Sequence, residues 1–392
     1  MQICEKEKCT GCGACAYSCP HQAIAMQEDE IGVLRPMIDD ASCINCGKCE
    51  RMCPANKDWE FYPIEKTYVA WSSDPEERRT SASGGIAAEI YRYTNEQGFV
   101  CVGAKSNPNF SVSLIATENY GELRKFKNSK YVFCDAQTVY PQIEQALKEN
   151  KTVIFVGLPC QVAAVRQLFP KKENLLLIDL VCHGVMPYSY LKQHIQQLER
   201  DYGKKAGTMS FRDENKGTCT FTLTLYDSTR NCFYARRTKD WDTYQVGYHR
   251  MIAYRENCYH CKYAKTERIS DVTLSDYKGL GSMAPWDLEA EKVSSILVHT
   301  ERGMELIKTL MDQGRIIAHE RPLLESVSGD PQLQHPSLKS PSRLDFEKYI
   351  ELYHGDFEKT MEIVIRKRKH REATSKVVGK LKRVMKQVIN RK

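Results

Sequence analysis

Cys9, Cys12, Cys15 and Cys19 recur 34 residues later as Cys43, Cys46, Cys49 and Cys53, and a proline (Pro20, Pro54) follows each fourth cysteine. No other feature constrains the chain as strongly. Three thiols on a tight loop supply one face of an iron–sulfur cube. The fourth of each run lies too far round to join them and ligates the other cluster. One 4Fe-4S cluster is therefore expected on Cys9, Cys12, Cys15 and Cys53, and a second on Cys43, Cys46, Cys49 and Cys19. A pair of zinc sites is the alternative, yet zinc uses neither the third close cysteine nor a crossed fourth. Gly11, Gly13 and Gly47 suit loops whose N–H groups turn toward sulfide. Cys4 is left over and reads as a small buried hydrophobe.

Cysteine usage is uneven, with nine of 17 between Cys4 and Cys53. In a reducing compartment that clustering reads as metal ligation rather than disulfide bonding. Met1 to Lys6 carries no apolar signal core, and no apolar run approaches the roughly 18 residues of a membrane span. A cytoplasmic address is expected. The net charge of +7 is concentrated at the end, where thirteen Lys or Arg between Lys359 and Lys392 face two Glu. Val377, Val378, Leu381, Val384, Met385, Val388 and Ile389 recur there at helical spacing among Lys376, Lys380, Lys382, Arg383 and Lys386. Such a cationic amphipathic helix suits an anionic membrane surface, peripherally on the inner face. Docking on a partner or on the body is the alternative. The lack of interleaved aromatics argues against nucleic acid.

Four segments are predicted: a cluster domain over 1–57, a body in two parts over 67–150 and 151–325, and a linker with the basic tail over 326–392. Within the body, strand-like runs (Thr67 to Trp71, Phe99 to Ala104, Thr152 to Gly157, Leu175 to Val181) alternate with helical stretches. The latter are Gly84 to Gln97, Pro141 to Glu149, Gln161 to Phe169 and Tyr188 to Tyr202. Continuous apolar strands between helices predict a largely parallel α/β sheet. The alternation from Thr220 to Leu225 predicts antiparallel strands within Gly207 to Arg237. A strand (Val293 to Thr300), a helix (Gly303 to Gln313) and a strand (Ile316 to His319) close the body. The fold class expected is α+β and α/β, a small N-terminal domain before a mixed α/β body and a C-terminal amphipathic helix.

The body holds a third set of thiols. Cys160 opens a helix after one buried strand, Cys182 follows the next, and Cys258-Tyr259-His260-Cys261 is a C-x2-C knuckle. If the strands are parallel, Cys160 and Cys182 emerge at the same carboxyl edge, where open α/β sheets place ligands. On the residues alone, a third 4Fe-4S cluster and a zinc knuckle stay open. Ser81, Ser83, Gly84 and Gly85 precede a helix, so their N–H and hydroxyl groups suit a phosphate; a plain N-cap with a glycine turn is the alternative. His183 reads as a proton donor or as a hydrogen-bonded histidine at a strand end. Gly279 to Ala284 mimics a dinucleotide fingerprint, but Pro285-Trp286 follows and no βαβ unit surrounds it. Cys101, Cys134, Cys219 and Cys232 read as structural.

Residues 1–57 resemble bacterial two-cluster ferredoxins. The stretches Thr80 to Gly85, Lys130-Tyr131-Val132, Gly157 to Gln161, Val181 to Gly184, Cys258 to Cys261 and Ser270 to Asp276 follow the order seen in the family of coenzyme F420 hydrogenase/dehydrogenase beta subunits. That resemblance covers about residues 67–325 and implies an iron–sulfur flavoprotein oxidoreductase. It implies Cys160, Cys182, Cys258 and Cys261 as ligands of a third 4Fe-4S cluster, beside an FAD near Ser81, Ser83, Gly84, Gly85, Lys130, Tyr131, Pro159 and Gln161. Electrons would pass between a one-electron carrier or redox partner protein, the clusters and the flavin, which reduces or oxidises a small organic substrate. A flavin joins one-electron to two-electron chemistry. Some bacterial members of the family look like components of surface-polysaccharide pathways. The rival reading is an electron-transfer subunit without its own substrate site, serving a partner enzyme. Where the family often has Gly-Asp-aromatic-Trp-Gly, this chain has Ser275-Asp276-Tyr277-Lys278-Gly279, so the deazaflavin substrate is not carried over.

Overall fold

The computed structural model describes residues 2–288 and 291–389, with side chains as far as residue 374 in the last helix. In the N-terminal region the duplicated sequence gives duplicated structure. Gly13 and Gly47 adopt left-handed backbone (φ +76° and +68°) and open the short helices Ala14–Ser18 and Lys48–Arg51, which carry Cys15 and Cys49. Between them, β1 (Ile24–Glu28) and β2 (Leu34–Ile38) pair antiparallel, Ile24 opposite Ile38. Cys15, Ile24, Cys49 and Cys53 are buried together.

The body is built on one nine-stranded sheet. Its first strands are β3 (Lys66–Ser72), β4 (Val100–Ser106), β5 (Val112–Thr117), β6 (Cys134–Asp135), β7 (Val153–Gly157) and β8 (Leu175–Leu180). A separate antiparallel sheet follows, β9 (Thr208–Ser210), β10 (Leu223–Tyr226) and β11 (Cys232–Arg236). The chain then returns to the large sheet with β12 (Val272–Asp276), β13 (Ser294–Val298) and β14 (Ile316–Arg321), giving the order β14-β3-β13-β12-β8-β7-β4-β5-β6. Strands β12, β8, β7 and β4 are mutually parallel, whereas β13, β3 and β14 run antiparallel to their neighbours. The sheet is thus mixed rather than largely parallel. A continuous apolar run reports burial on both faces, not strand direction, and β3 and β13 are buried like the parallel strands.

Residues 325–345 are not a linker. They form the helix Glu325–Gly329, a 3-10 turn at Pro331–Leu333 and the start of the helix Pro341–Leu352. Glu325, Val327, Leu333, Ser337 and Arg343 are all buried. Ser, Pro and Asp serve there as caps and helix starts, with Ser340 accepting from the Arg343 N–H and Asp330 from that of Gln332. The final helix, Phe357–Ile389, begins by burying Phe357, Met361, Val364 and Ile365 against the body. The amphipathic face expected from Lys376 onward lies outside the described side chains. Among the described residues, no helix is long and apolar enough to cross a membrane.

Candidate metal centres and cofactor site

Because β7 and β8 are parallel and adjacent, with Gly157 opposite Asp179, the chain leaves both at the same sheet edge. Cys160 lies in the first turn of the helix Pro159–Leu168, and Cys182 follows β8. Cys258 and Cys261 come from the 3-10 turn Glu256–His260 and its end. All four line one open-mouthed cavity, and Cys12 of the N-terminal region lines it too. Burial pushes the Cys160 thiol well above its ordinary range, and Cys182, Cys261, Cys258 and Cys12 add to the effect. Burial likewise pushes Cys258 up to about 11.

The backbone is nonetheless arranged for thiolates. The Val185 N–H donates to Cys258 Sγ at 3.4 Å, that of Gly184 to Cys182, and those of Tyr263 and Ala264 to Cys261. Crowded acids with waiting N–H donors release their protons when a cation takes the protons' place. Among the described residues, no three His, Cys, Asp or Glu side chains converge tightly enough for a single metal ion. A cube spaces its ligand sulfurs more widely than one ion does.

The two N-terminal sets also assemble in their crossed form. Burial, Cys12, Cys53 and Cys9 together raise the Cys15 thiol. Cys19, Cys43, Cys46 and Cys49 line a separate small cavity with Ile24, Ile38 and Ile44. Cys46 is exposed there. Cys4 is only half-buried, and its thiol hydrogen-bonds both Cys9 and Cys53, lowering them to about 6 and about 7. It neighbours the first set rather than merely filling space.

The residues expected at a flavin divide into two groups. Ser81 donates to Glu77, Ser83 to the Val293 carbonyl, and the Gly84 N–H to Ser294 Oγ. A Cβ on Gly84 would lie 2.5 Å from the Ala70 carbonyl oxygen, so this glycine serves the approach of protein to protein. Gly85 (φ +88°) opens the helix Ile86–Glu96. The phosphate cradle expected over Ser81 to Gly85 is therefore taken up by the protein itself. Pro159 and Gln161 line the cysteine cavity, Gln161 bridging the Leu158 N–H and the Cys134 carbonyl.

Lys130 and Tyr131 lie in a separate, half-buried environment. Lys130 Nζ reaches only the carbonyls of Phe126, Lys127 and Asn128, and burial lowers it to about 8. Tyr131 packs on Tyr248 (4.5 Å) and His249 (5.4 Å) and accepts from Arg212 Nε at 2.6 Å. Two buried polar atoms here lack partners, Asn128 Oδ1 and His249 Nε2. Arg212 and His249 were not evident from the sequence, since neither stands in a spaced motif. His183 lines the cysteine cavity, and Lys278 Nζ lies 3.5 Å from its Nε2 and 3.1 Å from the buried Asp330. Burial and then Lys278 lower the His183 imidazole. The loop Gly279 to Ala284 does bind an anion, an internal one: the N–H groups of Gly281, Met283 and Ala284 donate to Glu325 Oε1. Against the cost of burial, Arg321 and Tyr277 help hold that carboxyl down to about 2.

Residues 150–322 match the family described as the C terminus of the beta subunit of coenzyme F420 hydrogenase/dehydrogenase, and residues 8–57 match a 4Fe-4S dicluster domain. The chain thus carries the C-terminal domain of this beta-subunit family over residues 150–322, behind a 4Fe-4S dicluster domain. It is an iron–sulfur protein of an oxidoreductase lineage. A subunit of the F(420)H(2) dehydrogenase of Methanosarcina mazei is 22% identical over 349 residues, 83% of this chain and 89% of that one. The coenzyme F420-dependent sulfite reductase of Methanocaldococcus jannaschii is 28% identical over 178 residues, 43% of this chain but 26% of that protein. A chain of the F420-reducing NiFe hydrogenase complex from Methanosarcina barkeri superposes with a TM-score of 0.44 at 17% identity, covering 80% of this chain and 95% of that one.

Proposed function

We propose that the protein is an iron–sulfur flavoprotein that passes electrons between an external one-electron carrier and a small organic substrate. The carrying observation is the convergence of Cys160, Cys182, Cys258 and Cys261, from three separate stretches, on one cavity that also receives Cys12. In this reading Cys9, Cys12, Cys15 and Cys53 hold one 4Fe-4S cluster, Cys43, Cys46, Cys49 and Cys19 a second, and the body set a third. Cys12 lining the body cavity puts the first and third sites side by side. Exposure of Cys46 favours the second site as the point of exchange with a redox partner protein.

FAD fits the Lys130–Tyr131 end and not the Ser81–Gly85 turn. The unpartnered Asn128 Oδ1 and His249 Nε2 supply a polar edge, Tyr131 a ring face, and Lys130 and Arg212 positive charge for a phosphate or a reduced ring. The chemistry FAD supplies when bound is the exchange of single electrons for pairs. His183 would give or take the substrate's proton, and Lys278 would orient an anionic group of the substrate beside it. The substrate class follows the resemblance, a small molecule of surface-polysaccharide biosynthesis. Anaerobic purification tests the reading: about twelve irons and one flavin per chain are expected, and about eight irons without flavin would defeat it.

An electron-transfer component without its own substrate site is the second reading, favoured by the relative that is itself one part of a dehydrogenase. Dye-linked turnover by the isolated chain separates the two. For the basic residues from Lys376 we retain peripheral contact with an anionic membrane from the cytoplasmic side. Removing 376–392, which spares the buried Phe357 to Ile365, should release the protein from anionic vesicles.

A further inference from the structure

Arg255 is among the largest fully buried side chains of the protein, 2% exposed, and no carboxylate pairs with it among the described residues. Its Nη2 donates to the carbonyls of Cys9 (3.3 Å) and Leu34 (3.1 Å), and its Nε to Asn257 Oδ1 (3.3 Å). Its guanidinium lies over the Phe133 ring at 4.7 Å, and Phe133 lines the cysteine cavity. Nη1 has no hydrogen-bond partner. Gly11 makes room for this approach: a Cβ there would stand 2.7 Å from Nη2, on a backbone already at φ +70°. A buried guanidinium without a counter-ion is a costly arrangement that proteins avoid. Burial opposes its charge most and Arg35 opposes it too; the groups that favour it are Cys9, Cys258 and Cys160, one thiol from the first N-terminal set and two from the body set.

We propose that Arg255 is the shared counter-ion of the first and third cluster sites, and that its fixed positive charge sets their reduction potentials together. The proposal rests on the assignment of clusters to those two sets of thiols. A cube held by four thiolates carries about two net negative charges, and more when reduced. A cation shared between two such groups offsets its own desolvation and theirs. It also favours the reduced, more negative state at both sites and links the N-terminal region to the body by the Cys9 and Leu34 carbonyls. The second N-terminal site, on Cys43, Cys46, Cys49 and Cys19, lies in a different cavity and serves as an internal control. Arg255 is a positioning residue, acting through the clusters rather than on substrate.

The test is an EPR-monitored redox titration of the intact, cluster-loaded chain and its Arg255→Met and Arg255→Lys variants, with iron measured per chain. Arg255→Met should lower two of three midpoint potentials and leave the third in place, and Arg255→Lys should recover most of the shift. Unchanged potentials in Arg255→Met at full iron content would overturn the proposal. So would an equal shift in all three, or a Lys variant as low as the Met variant. If Arg255→Met loses clusters, Arg255→Lys should keep them, and equal loss in both overturns a role for charge. About eight irons in the wild-type protein would defeat the three-cluster reading, while the potential of the Cys9 site would still report on Arg255.

Discussion

The second N-terminal thiol set and the body set differ in how the chain surrounds them. Cys43, Cys46, Cys49 and Cys19 come from residues close in sequence, and Cys46 is exposed with Ile44 beside it. Cys160, Cys182, Cys258 and Cys261 come from three distant stretches, and a fourth segment closes over them. Ser337 Oγ donates to the His183 carbonyl at 2.6 Å, and Thr266 Oγ1 to that of Leu333 at 3.0 Å. The buried Arg343 donates to the carbonyls of Ile252 and Tyr254, pairs with Glu256 and Glu347, and lies over the Tyr259 ring at 4.5 Å. A site assembled from local sequence is accessible for exchange with a partner. A site assembled from the whole chain is more enclosed and depends on that chain staying folded.

The largest effect that separates the two is on metal content. Cys258→Ser should remove about four irons per chain and leave the N-terminal sites loaded, read as iron and sulfide per chain; full iron in this variant would erase the distinction. Next comes the clamp. Arg343→Ala leaves Glu256 with Lys339 but strips the carbonyls of Ile252 and Tyr254 of their donor, and should cost about 1–3 kcal/mol in chemical denaturation, with faster proteolysis near the 258–261 knuckle.

A pH effect of a few kcal/mol sharpens the comparison further. His194 is buried between Asp242 (2.9 Å) and Glu358 (2.8 Å), near Thr243 and the Tyr234 and Tyr244 rings, and so ties the last helix to the body. Burial opposes its charge, yet the two carboxylates raise it to about 10. A raised basic group stabilises fully below its unfolded value near 6.5 and loses that contribution as pH climbs through 10. Thermal stability should therefore fall between about pH 6.5 and 10 and level off above, and His194→Gln should flatten that slope. The smallest effect belongs at the exposed site. Arg51, whose guanidinium donates to the Cys46 carbonyl at 3.1 Å, should change stability by less than about 1 kcal/mol when replaced by Ala.

The thiol groupings were legible because a cube demands one residue type at fixed spacing: Cys19 falls in with Cys43, Cys46 and Cys49, and Cys53 with Cys9, Cys12 and Cys15. Cys160 and Cys182 were legible through β7 and β8, whose apolar runs announce buried neighbours. The closing segment was not. Asp330 and Ser337 look like loop chemistry, and their burial goes with Lys278 and the His183 carbonyl, remote in sequence. Ser83 and Gly84 misled for a related reason: a glycine-rich turn before a helix binds whatever approaches, here Ser294 and Ala70 rather than phosphate. Arg255 and His249 carry no pattern, since an orphaned donor is visible only once its surroundings are folded.

The order in which the segments are made has a bearing on assembly. During synthesis all twelve of these cysteines emerge before Arg343 and Ser337, so every one of these thiols is present on the growing polypeptide while that cover is still missing. An interval of that kind leaves the chamber more open than it is in the finished molecule, where Ser337 lines it.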